Sequence, residues 1–126
     1  MEMPKFPDNA PIYESWDKAA KRLLNVMYKH HQSWIFHEPV DPEKLQIPDY
    51  RDIVLNPMDF GTIKGRLNTN YYNRLQEFLN DMDLTFDNCI QYNGENSSVG
   101  KMAKSVREEF RKQYQALNLD FYLNRI

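Results

Sequence analysis

Residues 32–58 read QSWIFHEPVDPEKLQIPDYRDIVLNPM, and this stretch decides how the rest of the chain is interpreted. It carries four of the seven prolines, namely Pro39, Pro42, Pro48 and Pro57. Proline lacks a backbone N–H and clashes with the interior of a helix, so no long helix can continue through this stretch.

The same stretch is rich in large apolar residues, which argues against disorder. These residues are Trp34, Ile35, Phe36, Val40, Leu45, Ile47, Tyr50, Ile53, Val54 and Leu55. Long ordered loops in compact domains are usually functional. We therefore interpret residues 32–58 as an ordered loop whose side chains line a surface cavity.

Helical patterns flank the loop on both sides. Before it, with Ser15 as a plausible N-cap, apolar residues recur at spacings of three and four. They are Trp16, Ala19, Ala20, Leu23, Leu24, Met27, His31 and Trp34. After the loop, a short helix capped by Asp59 is predicted to bury Phe60, Ile63 and Leu67 and to end at residues 68–70.

Two longer helices complete the pattern. The first begins near Asn73, whose spacing to Gln76 fits a capping box, and ends at residues 92–94. Its apolar face is Leu75, Phe78, Leu79, Met82, Phe86, Cys89 and Ile90. The last helix is capped by Ser97 or Ser98, and its apolar face is Val99, Met102, Ala103, Val106, Phe110, Tyr114 and Leu117. The sequence thus predicts an all-α bundle of three long helices and one short helix, with two loops at one end.

Composition narrows the class of protein. The chain has 126 residues, which suits one domain, and its net charge of −2 disfavours nucleic-acid binding through phosphates. With one cysteine it has neither an intrachain disulfide nor a cysteine-based zinc site, as in a reducing compartment. It has no apolar run of membrane-spanning length and no signal-peptide pattern.

The sequence offers no catalytic or metal-binding constellation. His30, His31 and His37 lack ligand-type partners, and the first two point in different directions on a helix. Cys89 lies on an apolar face without a basic neighbour, so we do not expect a catalytic thiolate.

Asn93 has two possible roles. It is either a simple helix stop, the more frequent case, or a carboxamide at the mouth of a cavity, with two donors and an acceptor for a ligand amide.

Five blocks of sequence, in this order, resemble the bromodomain family, which recognises acetylated lysine. They are Trp34-Ile35-Phe36, Pro39-Val40-Asp41, residues 45–50 (LQIPDY), residues 56–63 (NPMDFGTI) and Tyr92-Asn93. The resemblance covers about residues 15–117, and its loop pattern is most similar to that of the BET-type members. It divides the chain into an irregular lead-in (1–14), a bromodomain (15–117) and a C-terminal extension (118–126).

The resemblance implies a left-handed, up-down four-helix bundle whose long loop (32–58) and short loop (94–98) frame an acetyl-lysine pocket. Asn93 would donate to the acetyl carbonyl, and Tyr50 would act on the same oxygen through a water. The implied walls are the shelf Trp34, Ile35 and Phe36, the channel residues Val40, Leu45 and Ile47, the floor residue Cys89, Tyr92 beside Asn93, and Val99 at the gatekeeper position. Ile35 departs from the family's usual proline, which puts the shape of the shelf in doubt.

None of these wall residues is a carboxylate, so unmodified lysine should be excluded from the pocket. The acidic residues in or beside the two loops have two possible interpretations. They are either ordinary solvated surface charges, or they favour peptides with basic histone sequence around the acetylated lysine. They are Glu38, Asp41, Glu43, Asp49 and Glu95.

The resemblance further implies partners that are acetylated histone tails or other acetyl-lysine proteins, with no cofactor, no direct need for nucleic acid and no membrane. A nuclear location and a monomeric module of a larger protein are expected on the same basis. Two alternatives stay open: a helical scaffold that binds a partner through another surface, and an enzyme such as an acyl-lysine hydrolase.

Overall fold

The computed structural model describes residues 15–123, and every regular element in that range is helical. The lead-in predicted at residues 1–14 and the end of the chain at 124–126 lie outside it. The elements are α1 (Trp16–Tyr28), a 3-10 helix η1 (Ser33–Phe36), α2 (Tyr50–Ile53), α3 (Phe60–Asn68), α4 (Leu75–Asn93), α5 (Ser98–Ala116) and α6 (Asp120–Leu123).

Four of these helices form the bundle. Helix α4 packs along α5, and α1 packs against α3, α4 and α5. The short helices η1 and α2 lie inside the long loop and contact α5 and α4, respectively. The prediction of an all-α bundle with a long loop after the first helix is therefore confirmed. The loop also contains two short helices that were not predicted, because its prolines argued against helix.

The core is built from the predicted apolar faces, with phenylalanine at its centre. Phe60, Phe78 and Phe86 are fully buried on α3 and α4. Phe36, from the beginning of the long loop, inserts between two of them, with ring centroids 5.4 Å from both Phe60 and Phe86. Because its first apolar anchor belongs to the bundle core, the loop is fixed to the scaffold that it covers.

Helix caps explain where most elements begin. Asp59 accepts hydrogen bonds from the Thr62 backbone N–H (3.0 Å) and hydroxyl, and Ser97 accepts from the Gly100 N–H (2.9 Å). Both predicted caps are confirmed. The capping box of α4 was assigned to the wrong residue, since Glu77, rather than Gln76, accepts from the backbone N–H groups of residues 73 and 74.

The first helix is shorter than its apolar spacing predicted. It ends at Tyr28, and the chain then turns, so His31 is exposed and Trp34 is 65% exposed. At the other end, the core extends past the boundary placed at residue 117, because Leu119 and Tyr122 are buried. Among residues 15–123, no helix has the length and apolar character needed to cross a membrane.

Candidate functional site

A cavity of about 320 Å³ opens where the long loop meets the end of α4 and the start of α5. Its wall is mainly apolar, and it includes all eleven residues for which the sequence predicted a binding role. They are Trp34, Ile35, Phe36, Val40, Leu45, Ile47, Tyr50, Cys89, Tyr92, Asn93 and Val99. The fold thus gathers residues that are up to 65 positions apart in the sequence around one opening.

Four further residues line the cavity: Glu38, Met58, Asp59 and Thr85. From the sequence, Glu38 was one of the acidic loop residues and Asp59 a helix cap, and none of the four was predicted to form the wall. Helical spacing could have found Thr85, which lies one turn before Cys89 on α4. Glu38 lies between the shelf and Val40 in the long loop, and Met58 and Asp59 belong to one of the five sequence blocks. The sequence does not indicate whether the side chains of these three residues face the cavity, face solvent or cap a helix.

Asn93 is the last residue of α4, and Gly94 follows it with a φ of 94°. That positive φ favours glycine and turns the chain away sharply, which leaves the Asn93 side chain exposed at the cavity. Its Nδ2 donates one hydrogen bond to the Cys89 carbonyl at 2.9 Å. The same Nδ2 also makes a longer contact with Cys89 Sγ at 3.7 Å. Both contacts hold the carboxamide against its own helix, and a ligand carbonyl can replace the weak bond to sulfur.

Tyr50 forms the buried side of the cavity. Its side chain is only 5% exposed, and within residues 15–123 its hydroxyl has no hydrogen-bond partner. No buried side-chain polar atom in this range is left without a partner, so the hydroxyl must reach accessible space. Burial of the ring and, secondarily, the nearby Cys89 thiol raise the pKa of Tyr50, which keeps the phenol neutral at physiological pH.

Two long-range hydrogen bonds fix the loop to α4. The Tyr92 hydroxyl donates to Asp49 Oδ1 at 2.7 Å, and Asn88 Nδ2 donates to the Asn56 carbonyl at 2.8 Å. The bond to Asp49 is also the main reason that the pKa of Tyr92 is raised. Together with Phe36 in the core, these contacts hold the loop at its beginning, middle and end.

Cys89 lies half-buried on the cavity floor, one turn before Asn93. Burial raises the pKa of its thiol to about 11, and the Asn93 amide opposes that shift. The thiol is therefore protonated at neutral pH and acts as a small apolar surface rather than as a nucleophile. The hydroxyl of Thr85, a buried residue in the same wall, donates a hydrogen bond to the Asp81 carbonyl at 2.9 Å.

The expectation of a wall without carboxylates is wrong, since Glu38 and Asp59 both line the cavity. Asp59 is 3% exposed and is committed to capping α3, where both of its oxygens accept hydrogen bonds from Thr62. Glu38 is exposed at the rim. Neither carboxylate is therefore a free anion inside the slot. Among the residues that the structure describes, no group of three or more His, Cys, Asp or Glu could hold a metal ion.

Comparison with known proteins identifies the family. A sequence model of the bromodomain family matches residues 20–105. The SWR1 complex bromodomain subunit bdf1 of Schizosaccharomyces pombe is 51% identical over 82 residues, which is 65% of this chain and 14% of that protein. An ankyrin repeat, bromo and BTB domain-containing protein of Dictyostelium discoideum is 43% identical over 94 residues (75% of this chain, 12% of that protein).

A bromodomain-containing protein of Schizosaccharomyces pombe is 37% identical over 107 residues, or 85% of this chain and 15% of that protein. The chain therefore spans only 12–15% of the length of these three curated relatives.

Proposed function

The chain belongs to the bromodomain family, and from that premise we propose that it is a non-catalytic module that binds N-acetylated lysine in histone tails or other nuclear proteins. One observation carries the proposal most directly. The Asn93 carboxamide stands at a mainly apolar cavity, in a wall that also contains the buried Tyr50. Besides its bond to the Cys89 carbonyl, its Nδ2 makes only a weak 3.7 Å contact with Cys89 Sγ, which a ligand carbonyl can replace.

The proposed roles combine the family resemblance with the positions of the side chains. An N–H of Asn93 donates to the acetyl carbonyl in place of its weak contact with Cys89 Sγ, and the Tyr50 hydroxyl reaches the same oxygen through a water. The lysine stem lies between the shelf (Trp34, Ile35 and Phe36) and Val99, with the acetyl methyl toward the floor at Cys89. Val40, Leu45, Ile47 and Tyr92 complete the channel.

Selectivity for the acetylated form comes from the cost of removing water from a charge. An ammonium group loses several kcal/mol of hydration free energy on entering an apolar slot unless an anion pairs with it there. Asp59 is poorly placed to provide that anion, because it is 3% exposed and both of its oxygens already accept hydrogen bonds from Thr62. Acetylation replaces the ammonium with a neutral amide, which can enter because its carbonyl accepts from Asn93.

The free-energy terms for binding predict a weak affinity. Each buried methylene-sized group contributes about 0.8 kcal/mol, and the Asn93 hydrogen bond contributes a net of about 1 kcal/mol. Association costs on the order of 4–15 kcal/mol in lost freedom. We expect dissociation constants from roughly micromolar to near millimolar, or about −8 to −4 kcal/mol. A module of this kind gains affinity when it is tethered to others in a longer protein.

Isothermal titration calorimetry with paired histone-tail peptides tests the proposal. We expect heat with the acetylated peptide, none with the unmodified peptide and no released product by mass spectrometry. Asn93→Ala should abolish binding, because it removes the donor and leaves the acetyl carbonyl unpaired. Asn96→Ala is the matched control, since Asn96 is an exposed amide in the short loop that follows Asn93 and lies outside the cavity wall.

The outcomes separate the proposal from its alternatives. Equal affinity for acetylated and unmodified peptides, or full binding by Asn93→Ala, would favour a scaffold that uses another surface. Deacylated product would favour an enzyme. We also propose a nuclear location, which is supported by the bromodomain relatives, among them a subunit of a complex named SWR1.

A further inference from the structure

The acidic residues around the two loops differ in whether their carboxylates have hydrogen-bond or ion-pair partners. Asp41 Oδ1 accepts from the backbone N–H groups of residues 43 and 44, at 3.1 and 3.2 Å, so its carboxylate organises a turn. Asp49 accepts from Tyr92, and Glu95 pairs with Lys104 Nζ at 2.9 Å. These three carboxylates are committed to partners within the fold.

Glu38 differs from all of them. It lines the cavity, its side chain is exposed, and its carboxylate has no hydrogen bond or ion pair within residues 15–123. Asp59, the other lining carboxylate, is buried and committed to its cap. Glu43 also lacks a side-chain partner in this range, but it lies outside the cavity wall.

We propose that Glu38 is a specificity-determining residue, which selects acetylated lysines that have a cationic residue, Lys or Arg, within about three positions in the same peptide. The inference rests on the proposed function, because it assigns the sequence context that the acetyl-lysine site prefers. An unpaired carboxylate at the rim attracts a cation that stays in contact with water, while the neutral acetyl group occupies the apolar slot.

The spacing follows from the dimensions of a peptide. An extended chain advances about 3.3 Å per residue, and the flexible stem of a Lys or Arg side chain adds reach in either direction. The cavity is small, at about 320 Å³, so neighbouring residues of a bound peptide lie beside its opening. A cation near the acetylated lysine can therefore meet the rim, whereas a distant cation experiences only a screened field.

Calorimetry with a peptide series tests this assignment. Each peptide carries one acetyl-lysine in a neutral background, with arginine or glutamine placed at each of the three positions on either side. Because Glu38 is exposed, we expect arginine at one or more positions to tighten binding by about two- to five-fold at about 0.1 M salt, and much less at about 1 M. Glu38→Gln should bring the ratio of the affinities for the arginine and glutamine peptides to about one, whatever its effect on the affinity for the all-neutral peptide.

Glu43→Gln is the matched control. It removes the same charge from the same loop, so a preference that merely reflects net charge would fall equally in both variants. Equal loss in both variants, retention in Glu38→Gln, or no arginine preference in the native chain would overturn this inference alone. Failure of every acetylated peptide to bind would overturn the proposed function and this inference with it. Circular dichroism of each variant establishes that the fold is intact.

Discussion

The hydroxyl of Tyr92 donates a 2.7 Å hydrogen bond to Asp49, which lies 43 positions earlier in the chain. The two residues bring the end of α4 and the middle of the long loop into contact. Tyr50, next to Asp49, packs its ring edge-on against Tyr92, with centroids 5.1 Å apart. The position of the buried tyrosine in the cavity wall therefore depends on the helix that carries Asn93.

Tyr92→Phe should loosen this junction while keeping the ring contact. We expect several-fold weaker binding of an acetylated peptide, with only a small change in thermal unfolding because the lost hydroxyl lies at the surface. Without ligand, backbone amides of residues 45–50 should exchange faster with deuterium, as measured by mass spectrometry. That exchange readout separates a loosened loop from the loss of a direct ligand contact.

Tyr71→Phe is the control for that experiment, since Tyr71 is 58% exposed and does not line the cavity. Unchanged exchange at residues 45–50 in Tyr92→Phe would show that the hydrogen bond does not hold the loop.

Gly100→Ala should damage both stability and binding. A Cβ at position 100 would lie 1.9 Å from the Gly94 carbonyl oxygen, which is backbone and can move only if the short loop moves. Gly94 directly follows Asn93, so its displacement would disturb the carboxamide. We expect a loss of about 1–3 kcal/mol in the free energy of unfolding, as for other overpacked sites. Urea denaturation and calorimetry measure the two effects.

Gly65→Ala provides the opposite case in the same protein. Gly65 lies on α3, and apart from its chain neighbours and the backbone of its own helix, no atom would lie within 4 Å of an added Cβ. Because glycine is a poor helix residue, this change should raise stability by about 0.5–1 kcal/mol and leave binding unaltered. If the two alanine variants unfolded at the same urea concentration, steric contact with Gly94 would not be what requires glycine at position 100.

Much of this fold was predictable because its determinants are local. The Asp59 and Ser97 caps act within three residues, and the buried faces of α3, α4 and α5 follow helical periodicity. The same rule failed at Trp34, because a spacing of three or four residues does not reveal that α1 has already ended at Tyr28. Likewise, a spacing of three residues from Asn73 predicted Gln76 as the capping partner, whereas the N-cap lies one residue later, at Arg74, and its partner is Glu77.

The interior of the candidate site was harder to predict because it depends on contacts between distant residues. The resemblance to a family identified which residues belong to the wall. It did not indicate that Phe36 enters the phenylalanine core, that Asn88 holds the Asn56 carbonyl, or that Asp59 combines a cap with a place in the cavity wall. Only assembled coordinates distinguish Glu38 from the acidic residues whose carboxylates are used within the fold.

Alkaline pH should destabilise the protein through Tyr72. Burial and, next, a 2.5 Å hydrogen bond to Asp81 raise the pKa of its phenol above the ordinary value of 10.0. The folded state therefore keeps this proton where the unfolded chain loses it. The stabilisation is complete below pH 10 and declines above it, by about 1.4 kcal/mol per pH unit for one proton.

Tyr72→Phe isolates this contribution. Although the variant starts from lower stability, because the bond to Asp81 is lost, its free energy of unfolding should fall less steeply between pH 10 and pH 11. Urea denaturation at several pH values gives the slopes, and Tyr71→Phe controls for removal of an exposed phenol. Parallel slopes for Tyr72→Phe and the native protein would contradict the assignment.

Cys89 gives a chemical readout of the cavity itself. Because burial raises its pKa from 9.0 to about 11, the thiolate fraction at pH 8 should be about 100-fold lower than in the unfolded chain. Alkylation by iodoacetamide should slow accordingly. The chain has one cysteine, so intact-mass spectrometry reports this site alone. An acetylated peptide should slow the reaction further by occupying the floor, whereas an unmodified peptide should not. Equal rates in buffer and in urea would show that the thiol is not buried.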